Sequence, residues 1–150
     1  MKRFQFSLEQ VLNLRKHEER EWELKLAAAT AECVLIMNKI RGREMEKTKT
    51  LKDDFSRDFA LMKSRSLYIS RLEQQMTDLK RQLKLKEAER ENVRKVYLEH
   101  SKRRKVLEKL KERREAEYRR TVKKEETKHL DDISSSASLR KKTNQLIEVI

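Results

Sequence analysis

The chain has 150 residues, a single glycine, no proline, 43% charged residues and a formal net charge of +13. Glycine and proline turn corners, so a compact domain with many connections is excluded, and long helix or disorder is left. One cysteine, Cys33, excludes an intrachain disulfide.

The N-terminus opens on Met1-Lys2-Arg3, but Phe4, Phe6 and Leu8 then alternate with polar residues, which is no signal peptide. The apolar run from Cys33 to Met37 falls far short of the roughly 20 residues that a membrane span needs. A soluble, cytoplasmic chain is expected. Alternating steps of four and three from Leu8 reach Leu12, Arg15, Glu19, Trp22, Leu26, Ala29, Cys33, Ile36 and Ile40. Eight of these ten positions are apolar, which is the seam of a coiled coil and rejects disorder. Ser7 can cap the first turn. Beyond Ile40 the next anchors are Leu51 and Phe55, so the gap that contains Gly42 reads as a stutter in the supercoil.

A second seam runs through Ile69, Leu72, Met76, Leu79 and Leu83, meets Lys86 and Arg90, and resumes at Val93, Tyr97, His100, Arg104 and Leu107. Leu110, Tyr118 and Val122 continue it more sparsely. Between the seams, Phe59, Leu61 and Met62 lose the register, and Ser64 or Ser66 can cap a new helix. The expected fold is therefore all-α: a long two-helix antiparallel coiled-coil hairpin over residues 1–133. Helix 1 is placed at about 7–56, the turn at about 57–65 and helix 2 at about 66–133. The Ser134–Ser138 run reads as a helix end, making about 134–150 a flexible linker and tail. Each arm would be on the order of 80 Å long.

A fold-back centred near residue 62 pairs Leu51 with Leu72 and Phe55 with Ile69. It brings Trp22 near His100, Leu12 near Leu110 and Phe4 near Arg120. Ala27, Ala28 and Ala29 then fall opposite Val93, Val96 and Tyr97, small against large.

No constellation reads as an active site. One glycine cannot build a phosphate-cradling loop, and His17, His100, His129 and Cys33 lie too far apart for a metal site. No cofactor and no enzymatic activity are expected. From Lys80 to Lys128, twenty Lys or Arg stand against ten Glu, which points to an acidic partner or a solvated face. The stretch follows the good heptads and is mixed with glutamate, so specific DNA reading is disfavoured. Leu51, Phe55, Phe59, Leu61, Met62, Tyr68 and Ile69 exceed what one seam can bury, which suits either a docking patch or a hydrophobic cap on the turn.

The opening Phe4-Gln5-Phe6-Ser7-Leu8-Glu9-Gln10-Val11-Leu12-Asn13-Leu14-Arg15, followed by Glu18-Glu19, resembles the start of the flagellar export protein FliJ family. So do Tyr68-Ile69-Ser70-Arg71-Leu72-Glu73, Leu107-Glu108-Lys109-Leu110-Lys111-Glu112-Arg113-Arg114 with Tyr118, and Glu125-Glu126 with Leu130-Asp131-Asp132. The resemblance covers residues 4 to about 133 and implies a soluble, non-enzymatic component of the flagellar type III export apparatus, similar in shape to a rotary-ATPase stalk. It implies partners: the hexameric export ATPase FliI, whose ring assembly and activity it promotes, the export gate protein FlhA, and substrate chaperones. It also implies a cytoplasmic place peripheral to the inner-membrane apparatus. By motif match Tyr68 and Leu72 would face the gate, and the register adds Leu51, Phe55 and Met76. The ATPase-facing end would hold Phe4, Phe6, Leu8, Glu9, Glu112, Arg113, Arg114 and Tyr118. The alternative reading is a basic coiled-coil scaffold or nucleic-acid-associated protein.

Overall fold

The computed structural model describes residues 3–53 and 58–148, with side chains through Lys142. Two helices carry the fold, α1 (Glu9–Lys52) and α2 (Phe59–Glu148), and no strand occurs among the described residues. The all-α hairpin is therefore the observed class. Each helix contributes to two compact units: unit 1 is residues 1–13 with 105–150, and unit 2 is residues 14–104.

In unit 2 the helices run antiparallel, shown by pairs whose numbers rise on one helix as they fall on the other. Arg104 meets Glu19, His100 stacks on Trp22, Lys86 meets Glu32 and Lys47 meets Glu73. Cys33, Leu72 and Met76 are its buried apolar side chains and Ser101 its buried polar one. The four-three positions of α1 are all buried or half-buried, and the series continues unbroken from Ile40 through Arg43, Lys47 and Thr50. The expected stutter is thus absent. Long polar side chains hold the seam where no apolar residue does, covering it with their stems while the heads find partners: Lys47 with Glu73 at 2.6 Å, Arg43 with Glu46 at 3.0 Å. Leu51, which the stutter would have brought inward, is 54% exposed.

The turn lies earlier than expected. Asp58 caps α2, its Oδ1 accepting from the Ala60 amide at 3.0 Å and its carbonyl accepting from Met62 at 3.1 Å. An aspartate is a strong N-cap, and it pre-empts Ser64 and Ser66. Arg65 donates to the Asp53 carbonyl at 3.1 Å, satisfying one carbonyl just past the end of α1. The pairing is shifted from a centre at residue 62 along unit 2, Lys86 reaching Glu32 rather than Asn38. Lys47 reaches Glu73 rather than Thr77, one helical turn away from the position a centre at residue 62 would give.

In unit 1, Phe6 and Leu12 are buried beneath the lead-in to α1. The Glu9 amide donates to the Phe6 carbonyl at 3.1 Å, and Glu9 places a negative charge in the first turn of α1. Ser7 accepts from Arg114 Nη1 at 3.1 Å. Within α2 the serine run is helical, which corrects the expected linker. Ser136 and Ser138 return their hydroxyls to the carbonyls of Asp132 and Ser134 at 2.8 and 2.9 Å. Serine so bonded sits inside a helix, and no glycine or proline follows to end it.

Candidate partner-binding surfaces

The residues expected at the gate-facing site divide sharply. Tyr68 and Leu51 are exposed, whereas Leu72 and Met76 are 2% and 9% exposed and belong to the interhelical core. Phe55 lies outside the described residues. Leu72 and Met76 are seam positions on the register used to find them, so a partner cannot reach them with the helices together. What is presented instead is an open groove of about 890 Å³ lined by Leu51, Leu61, Met62, Arg65, Tyr68 and Ile69. Phe59 and Leu67 beside it in sequence are strongly exposed. Of these, Arg65 and Leu67 were not legible as site residues, because neither sits on the seam or in the apolar excess at the turn.

The ATPase-facing set is more coherent. The Phe4 and Tyr118 rings lie 5.6 Å apart, and the Arg114 guanidinium stands 6.0 Å from the Phe6 ring centroid. Glu9 is bridged by Lys111, whose Nζ lies 2.7 and 2.9 Å from its two oxygens. Leu8 is half-buried, while Glu112 and Arg113 are exposed. Lys111 joins the cluster unannounced; the pairing that placed Phe4 near Arg120 sets Glu9 opposite Glu115, one helical turn beyond it. A groove of about 700 Å³ beside Arg3, Phe4, Gln5, Ser7, Gln10 and Lys111 opens on this cluster.

One further surface emerges from the helix geometry of unit 1. Lys105, Lys109, Arg113, Arg120, Lys123 and Lys124 fall within roughly 100° of the circumference of α2. All six are exposed, and Leu107, Lys111, Tyr118 and Val122 occupy the half-buried side. No acidic residue between 105 and 124 interrupts the arc. Uncompensated charge of one sign in a line attracts an acidic surface.

The histidines are not gathered. His100 stacks on Trp22 at 5.9 Å and 14°, and Lys25 Nζ lies 4.1 Å over the indole. His100 Nδ1 is buried without a hydrogen bond, 3.5 Å from Glu18 Oε2. Arg15 donates to Glu18 at 2.8 Å and holds that carboxyl below its ordinary value; partial burial opposes this, and His100 adds a smaller pull downward. Lys86, bonded first by Glu89 and then by Glu32, is pushed above the usual lysine range. Among the described residues no three His, Cys, Asp or Glu side chains converge as metal ligands would, and no helix is long and apolar enough to cross a membrane.

The fold is that of an antiparallel two-helix coiled coil, with an exposed apolar groove near the turn and, in unit 1, a cluster of aromatic and charged side chains. The family model for flagellar FliJ protein matches residues 4–143, nearly the whole chain. The chain belongs to that family of flagellar export components. No curated protein and no solved structure matches it.

Proposed function

We propose that the chain is a non-enzymatic coupling component of flagellar export that binds and stimulates the hexameric export ATPase and contacts the export gate. Membership of the FliJ family across residues 4–143 carries this reading. The terminal cluster of Phe4, Glu9, Lys111, Arg114 and Tyr118 supports an ATPase-facing role, since ring contacts and ion pairs preorganise it. Its neighbours Glu112 and Arg113 stand free for a partner. The turn groove around Leu51 and Tyr68 supports a gate-facing role, because an exposed apolar patch of that kind is an interaction surface by default. The chain acts through its partners at the inner membrane and stays on the cytoplasmic side.

Adding the purified chain to the purified export ATPase tests the reading. Turnover rises with the chain present, and Tyr118→Ala or Arg113→Glu reduces that rise while Tyr68→Ala leaves it intact and weakens gate binding. Unchanged turnover on adding the chain sinks the proposal. The basic arc of α2 gives the second reading, a nucleic-acid-associated coiled coil, its one specific support.

A further inference from the structure

We infer that the outer face of α1 in unit 2 is a self-complementary interface that joins two copies of this chain antiparallel about Ala31. The face consists of Leu24, Ala27, Ala31, Leu35, Gly42 and Met45, with Arg20 and Asn38 on the same line and Ala28 and Val34 at its edges. At 100° per residue these positions form one stripe along the helix, opposite the buried Cys33 and the half-buried Leu26, Ala29 and Ile40. Every member is exposed, Leu24 at 58%, Leu35 at 60% and Met45 at 68%. The outer face of a two-helix coiled coil is ordinarily polar. An open groove beside Ala27, Ala31, Val34 and Tyr97 marks its edge.

Charge and shape both identify the occupant as a second copy. A twofold axis beside Ala31, perpendicular to the plane of the two helices, keeps each flank on its own side and sets its residues beside partner residues of the same flank, within about two positions of equal distance beyond Ala31. Small then meets large: Ala27 falls beside the partner's Val34, and Ala28 beside the partner's Leu35. On one flank Glu23 lies about 3 Å along the axis from level with the partner's Arg41, and on the other Glu21 lies as close to level with the partner's Lys39. The symmetry repeats both pairs, so four pairs of opposite charge bracket the stripe; Arg20, on the line of the stripe, falls level with the partner's Gly42 and is held by Glu23 of its own copy at 2.9 Å. Among the described residues Glu21, Lys39 and Arg41 make no ion pair within the chain, and Glu23 has only the exposed Arg20, at 2.9 Å. A parallel arrangement in register would set Glu against Glu and Arg against Arg.

Gly42 adds an independent observation. A Cβ built there meets nothing within 4 Å, and its backbone φ is not positive. Nothing in the chain's own packing requires glycine at a position where alanine is the better helix former. In the antiparallel pair Gly42 leaves room for the long Arg20 side chain of the other copy, which falls level with it, and Leu24 falls level with the partner's Asn38. The stripe shares no residue with the surfaces assigned to the ATPase and the gate.

Sedimentation equilibrium on the full chain at rising concentration tests the inference. The expected result is a monomer–dimer equilibrium that Leu35→Arg abolishes with helical content unchanged by circular dichroism. Reversing one charge, Glu23→Arg, weakens the dimer about tenfold, and Glu23→Arg with Arg41→Glu restores it. Ala31→Cys, at the axis, forms an intermolecular disulfide under mild oxidation, while the unaltered chain with its buried Cys33 does not. Gly42→Ala stabilises the monomer toward denaturant yet weakens the dimer. A monomer at every concentration overturns the inference, and so does a dimer that survives Leu35→Arg or leaves Ala31→Cys uncrosslinked.

Discussion

Two neighbours near the turn show how a single position separates folding from recognition. Leu72 is fully enclosed between the helices and Tyr68, one turn away on α2, is half in solvent. Leu72→Ala leaves a cavity that the rest of so thin a core cannot fill, and is expected to cost about 2–4 kcal/mol in a denaturant titration. Tyr68→Ala removes an exposed ring and is expected to change stability by no more than about 0.5 kcal/mol while loosening gate binding. Equal losses of stability in the two variants would contradict the burial assigned here. The Glu18 carboxyl supplies a pH test at the same scale. Its folded pKa lies below 4.5, chiefly because Arg15 donates to it. A depressed carboxylate contributes stability that is present above the unfolded value and is lost as pH falls through the folded one. The melting temperature should therefore drop on acidification below about pH 5, and Glu18→Gln should flatten part of that slope. A slope identical in the variant would show that other carboxylates carry it.

At the scale of the element, the seams were legible because apolar spacing survives interruption, as at Arg15, Glu19, Lys86 and Arg90. Every position of the four-three series named from Leu8 to Ile40 and from Ile69 to Leu107 is buried or half-buried, whereas Leu51, named as the next anchor beyond Ile40, is exposed. Three features were not legible. The polar continuation through Arg43, Lys47 and Thr50 carries no hydrophobic signal, so only the partner Glu73 reveals it. The Asp58 cap lay inside an apparently irregular stretch where several residues could have capped. The Ser134–Ser138 run is disfavoured in a helix by propensity, yet its hydroxyls bond back within α2. For the docking surfaces, the register added Met76 because it is core, and the motif match that named Leu72 carried another core residue; burial is the reason neither can dock. The polar layer of Arg15, Glu18, Glu19, Trp22, His100 and Arg104 has a consequence of its own. A buried polar position in a coiled coil fixes register at some expense of stability. Glu19→Leu alone removes the carboxylate beside Arg104 and should cost about 1–2 kcal/mol. Glu19→Leu with Arg104→Leu should recover that stability but relax the pairing. Cysteines replacing Trp22 and His100 report the register: their crosslinking yield should fall in the double variant, and an undiminished yield would show that apolar packing alone holds it.

For the molecule as a whole, the charge of +13 is the property that composition gave first and the structure refined. Part of it is spent within the fold, as Lys111 on Glu9 and Lys86 on Glu32 and Glu89. The outward arc from Lys105 to Lys124 is not, and it discriminates the two functional readings. Duplex DNA bound through six cations would lose affinity with a logarithmic salt slope of about −5, whatever its sequence. An acidic protein surface responds to salt mainly through the association rate and keeps its affinity when apolar and aromatic anchors such as Tyr118 are also engaged. Arg113→Glu combined with Arg120→Glu is therefore expected to slow association with the export ATPase and to weaken it about tenfold, with helicity unchanged because both side chains are exposed on α2. The same chain should fail to retain duplex DNA at physiological salt. Tight DNA binding with the steep slope, together with ATPase affinity indifferent to the double reversal, would reverse the assignment of this face and favour the nucleic-acid reading over the coupling one.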